Sequence, residues 1–115
     1  MGSHGAVASY ALGEEVWEAV RRDWRTAPVD ERLRATLGFL EKLTLRSGEL
    51  TRADAVTVLS TGVTEQALVD AIHVAALFNM IVRLADSLGW YVPPDEAFSG
   101  RAQAMLESGY RLETV

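Results

Sequence analysis

The stretch AALFNMIVRLADSLGW (Ala75–Trp90) decides the fold. It is apolar enough for a buried helix, yet it keeps Asn79, Arg83 and Asp86. At 100° per residue these three fall within about 60° of one another on a helix wheel, so they form one polar stripe. Asn79 and Arg83 are four apart and Arg83 and Asp86 three apart, which permits contact along the stripe. The bland reading is a structural polar network, buried and fixing the register of packed helices or subunits. Arginine suits such a place because its planar fork satisfies several acceptors at once. The functional reading is a polar patch lining a pocket. The structural reading is the expectation.

Upstream, Thr64 is placed to cap a helix running from about Glu65 to Leu88, and Gly89 ends it. Thr51-Arg52-Ala53-Asp54 is a helix-start signal, with Asp54 in the reciprocal role usually filled by Glu. It opens a short helix over Arg52 to Ser60, which Thr61-Gly62 stops. Before it, Asp30 begins a helix carrying Leu33, Leu37, Leu40 and Leu43 at spacings of three and four, flanked by Phe39. Ser47-Gly48 closes that helix, with Gly48 suited to a left-handed cap. Gly13 to Arg25 reads as another helix, with Glu14 and Glu15 at its start and Arg21, Arg22 and Arg25 at its end. Pro93-Pro94-Asp95 opens a last one, about Asp95 to Ser108. No stretch alternates with period two long enough for a strand. The expected fold is all-α, with about five helices over a single helical domain at residues 13–115. Residues 1–12 are expected to be a disordered or tag-derived N-terminus, because Met1-Gly2-Ser3-His4-Gly5 has that character.

Composition narrows the chemistry. The 115 residues are 49% apolar and 23% charged, with a net charge of −5 and no cysteine. Zero cysteine removes disulfides, thiolate metal sites, iron–sulfur clusters and every thiol nucleophile. No signal peptide is visible, so the expected location is cytoplasmic. The acidic balance argues against nucleic acid or an anionic membrane as partner. The apolar run from Val74, interrupted at Arg83, is read as too short to span a bilayer.

Candidate chemistry is sparse. His73 lies more than 100° from the polar stripe; with Asp70 it is a weak candidate for acid–base catalysis, and a packed, hydrogen-bonded histidine is the commoner case. With His4 set aside there is no second imidazole for a metal, and no calcium-loop, phosphate-loop or Gly-x-Ser-x-Gly pattern. No cofactor and no metal are expected. Trp17, Trp24 and Trp90 read as core or interface anchors. The helices on either side of Thr61-Gly62-Val63 are superficially like a helix-turn-helix, but the second is too long and apolar for a groove.

Three pieces carry a resemblance: "DERLRATLGFLEKLT" (Asp30–Thr44), "LTRADAVTVLSTGVTEQALVDAIHVAALFN" (Leu50–Asn79) and "RLADSLG" (Arg83–Gly89). In this order they resemble the C-terminal half of peroxidase-related members of the alkylhydroperoxidase D-like proteins, in the carboxymuconolactone decarboxylase superfamily. The match covers a little over half of the chain. The resemblance implies an all-helical fold that associates into dimers, trimers or hexamers. It also implies a Cys-x-x-Cys pair with a His and an upstream acidic residue on a preceding helix. This chain departs there: it has no cysteine, and "GEEVWEAVRRDWRTA" before Pro28 lacks that arrangement. Asn79, Arg83 and Asp86 match framework positions of the family, and no catalytic residue carries over.

Peroxide reduction by a thiol needs a thiolate to attack the O–O bond and cycle through sulfenic acid and disulfide, so this chain alone cannot perform it. The leading expectation is a catalytically silent relative or half-domain acting as an oligomeric scaffold or small-molecule binding protein. A split peroxidase-like oxidoreductase, with its cysteines on a companion chain, is one alternative. A cysteine-independent acid–base enzyme resembling carboxymuconolactone decarboxylase, with His73 and Asp70 as candidates, is another. A homo-oligomer (dimer, trimer or hexamer) is the expected partner state, because three tryptophans and the leucine stripe imply helical faces driven to pair.

Overall fold

A computed structural model describes residues 3–109 of the chain. These residues form six α-helices: α1 (Ser3–Leu12), α2 (Glu14–Asp23), α3 (Glu31–Leu45), α4 (Arg52–Ser60), α5 (Glu65–Leu88) and α6 (Asp95–Ser108). A 3₁₀ turn at Ser47–Glu49 joins α3 to α4, and no strand occurs among the described residues. The fold is all-α, with one helix more than the sequence pattern suggests. The added helix is α1, over residues expected to lie outside the fold. Residues 1–2 and 110–115 of the two expected segments lie outside the described residues.

The chain groups into two compact units where one domain was expected. Val29–Trp90 forms the first to be described, with α3, α4 and α5. Its start is set by Asp30, whose carboxylate accepts the Arg32 amide at 2.8 Å and caps α3. Phe39, Val58 and Leu68, one from each helix, are the buried residues of its core. Ala35, Leu40, Leu43, Leu59 and Ile72 pack around them. The inner face of α3 is therefore centred on Phe39. The expected stripe shifts accordingly: Leu33, its first member, is 40% exposed. An apolar residue flanking a leucine row and one inside it cannot be told apart by spacing alone when the partner helices are unknown.

Gly48 does not take the left-handed form expected of it. It sits within the 3₁₀ turn, and Arg46 ends α3 with an extended φ of −143° and its N–H donated to the Lys42 carbonyl at 2.8 Å. Gly89 does take that form, at φ 60° and ψ 43°, and closes α5 as the sequence suggests. Asp54 lies at the start of α4. Its carboxylate accepts the Thr51 amide at 2.8 Å and the Thr51 hydroxyl at 3.1 Å, in a capping box.

The other unit joins Met1–Pro28 to Tyr91–Val115, so α1, α2 and α6 come from opposite ends of the chain. Helix α1 packs on both α2 and α6. The buried residues are small here: Ala6 on α1, Ala102 on α6 and Ala27 after α2. Small side chains let helix backbones approach closely but bury little apolar area. The Arg25 guanidinium lies over the Trp24 ring, 4.6 Å from its centre.

Candidate functional site

Helix α5 carries every side chain singled out as a candidate. Thr64 starts it by accepting the Ala67 amide at 3.1 Å. Within its unit, α5 packs on α3 and α4. Leu68 is buried there and Ile72 partly so, while Asn79 is half-buried further along the same face.

The polar stripe forms in part. The Asn79 side-chain amide donates to the Ala75 carbonyl at 2.9 Å and to the Thr44 hydroxyl of α3 at 3.4 Å. Arg83 Nη1 donates to the Asn79 carbonyl at 2.9 Å and to Asn79 Oδ1 at 3.0 Å. Asn79 thus links the end of α3 to Arg83. Asp86 makes no side-chain hydrogen bond among the described residues. The stripe is also not buried: Arg83 and Asp86 are exposed, and no polar or charged residue described is buried. In place of the expected buried network of three, half-buried Asn79 pairs with exposed Arg83. The reason is length, because α3 ends at Leu45, close to Asn79 through Thr44, and α5 continues to Leu88.

His73 and Asp70 are both exposed. The Asp70 carboxylate accepts the Gln66 amide at 2.8 Å, and no hydrogen bond joins it to His73. An open cleft of about 450 Å³ lies between the start of α3 and the start of α5, lined by Asp30, Arg32, Thr36, Gly62 and Thr64 among others. A smaller one of about 220 Å³ lies over Phe39, Lys42, Asp54 and Val58. Neither includes His73. No group of three metal-ligating side chains occurs among the described residues.

Two ion pairs flank these clefts. Arg32 Nε donates to Asp30 at 3.1 Å, and Lys42 Nζ reaches both oxygens of Asp54 at 2.9 Å. The Arg32 side chain and amide hold the Asp30 carboxyl below its ordinary value. Lys42, then the Thr51 amide, do the same for Asp54. Lys42 and Asp54 are twelve residues apart, on different helices, and helical periodicity gave no sign of their meeting.

The largest feature of α5 is apolar. Val74, Leu77, Met80, Ile81, Val82, Leu84 and Leu88 are 45–64% exposed. An 18-residue window of this 24-residue helix has mean hydropathy 1.7, with 6% of it buried. By length and composition the helix is sufficient to cross a membrane, which corrects the shorter reading based on an uninterrupted run. Compared with known proteins, the chain matches no family model and no curated sequence.

Proposed function

We propose that this chain is a self-associating helical scaffold, a subunit whose α5 is covered by a second copy. One observation carries the reading: α5 presents a broad, exposed apolar surface beyond the strip that α3 and α4 use. Monomeric proteins rarely leave contiguous apolar patches of that kind uncovered. Each leucine-sized side chain gains about 1.5–3 kcal/mol on full burial, so pairing of such faces is strongly driven. In this reading the chain is a catalytically silent relative, or half-domain, of the alkylhydroperoxidase D-like family, acting in the cytoplasm without nucleic acid or membrane as partner. The all-helical order of elements supports it, as does the absence of any sulfur nucleophile in the sequence. Asp70 and His73 are both exposed, share no hydrogen bond and line neither cleft, so acid–base catalysis by that pair gains no geometric support.

The same exposed helix supports a second reading, in which a companion chain covers α5 and brings the cysteines. Light scattering on the purified chain at micromolar concentration separates the two. A closed dimer or larger oligomer supports the scaffold. A monodisperse monomer that binds a cysteine-bearing partner supports the split protein, and a monomer throughout refutes self-association.

A further inference from the structure

Among the exposed apolar residues of α5, which also include Val69, Phe78, Met80 and Val82, one row keeps a regular register. Val74, Leu77, Ile81, Leu84 and Leu88 follow one another at spacings of three, four, three and four. On a helix wheel they fall within an arc of about 80°, centred opposite Asn79. Their exposures are 54%, 61%, 53%, 45% and 64%. Helix α5 therefore has two seams. The inner one, through Leu68, Ile72 and Asn79, lies against α3 and α4. The outer one is a heptad pattern, with Val74, Ile81 and Leu88 at one position and Leu77 and Leu84 at the other, the three-and-four spacing that knobs-into-holes packing against a like helix uses.

Resting on the self-association reading above, we propose that α5 packs antiparallel against α5 of a second copy through this outer seam. The two-fold axis passes midway between Leu77 and Ile81. The five seam residues and the flanking Met80 offer on the order of 600 Å² per copy, which reaches the lower end of what a specific dimer buries. Asp70 fixes the direction. It continues the same register, four residues before Val74. A parallel pair would set two Asp70 carboxylates face to face within the seam, at a cost in repulsion. The antiparallel pair sets each Asp70 at an outer end, beside the partner's Leu88. A lipid bilayer is the poorer occupant. A spanning α5 would carry Asp70, His73, Asn79, Arg83 and Asp86 along a single segment, and such groups are costly in hydrocarbon.

The absence of cysteine makes the test direct, because any introduced thiol is the sole one. In the antiparallel pair Val74 lies beside the partner's Leu84, while Val74 and the partner's Val74 are separated by about 15 Å along the axis. Mild oxidation of a mixture of Val74→Cys and Leu84→Cys chains is expected to give a disulfide-linked heterodimer, and each variant alone no linked dimer. Light scattering and circular dichroism on the same samples confirm assembly and helicity. Self-linking of each variant alone means a parallel pair and overturns the proposal. An oligomer without any link also overturns it and leaves self-association standing. A helical monomer, with or without uptake by neutral lipid vesicles, overturns both. As a second reading of the seam, Ile81→Lys is expected to weaken the dimer roughly tenfold or more while leaving helicity unchanged.

Discussion

Thr64 marks where local chemistry has the most to say. Its hydroxyl oxygen accepts the Ala67 amide, one of the amides that the first turn of α5 leaves without a helical partner. Thr64→Ala removes that acceptor, and the expected loss is about 1 kcal/mol of unfolding free energy, read as a lower urea midpoint at unchanged slope. Such single-residue features were legible in the sequence where the chemistry is local. Thr64, Gly89 and the pairing of Thr51 with Asp54 all stand where their residue types predict. Gly48 failed because the chain tightened into a 3₁₀ turn, which ends α3 without a left-handed residue. The Asn79–Arg83 contact was legible as a four-residue spacing. The extension to Asp86 was not made, since Arg83 Nη1 is turned back towards Asn79.

Between elements, the Lys42–Asp54 pair joins the body of α3 to the first turn of α4. Each side chain is about a quarter exposed, so water weakens the pair but does not dissolve it. The Asp54 carboxyl is held below its ordinary value by Lys42 first and the Thr51 amide second. A depressed folded-state value means that the unfolded chain takes up its proton first as pH falls. The stabilisation is complete above the ordinary carboxylate value and is lost as pH falls through the lowered one. Asp30, held down by Arg32, acts in the same sense. Urea midpoints measured from pH 7 down to pH 3 are therefore expected to fall, and to fall less steeply in Asp54→Asn; equal slopes would remove the pair from this account. Nothing in the sequence signalled this contact, because it depends on how the chain turns between two helices.

At the scale of the molecule, the core of residues 29–90 rests on Phe39, Val58 and Leu68, one from each helix. A unit with so few buried side chains has little stability in reserve. Leu68→Ala leaves a cavity between three helices and is expected to cost about 2–5 kcal/mol; equilibrium denaturation gives the number directly. The helical class and most of the helix bounds were legible, because period 3.6 and end signals are local properties. The division into two units was not. It comes from α1 meeting α6, a closure between distant parts of the chain that leaves no trace in any window of sequence.

That closure has a consequence for synthesis. On the ribosome α1 emerges early, and the helix it packs against is made some ninety residues afterwards. At about 5–20 residues per second, α1 spends several seconds in the cell without that cover. The hydrophobic centre of residues 29–90 draws on α3, α4 and α5 and needs no part of α6. Folding should thus be able to begin within residues 29–90, with α1 and α6 joining afterwards.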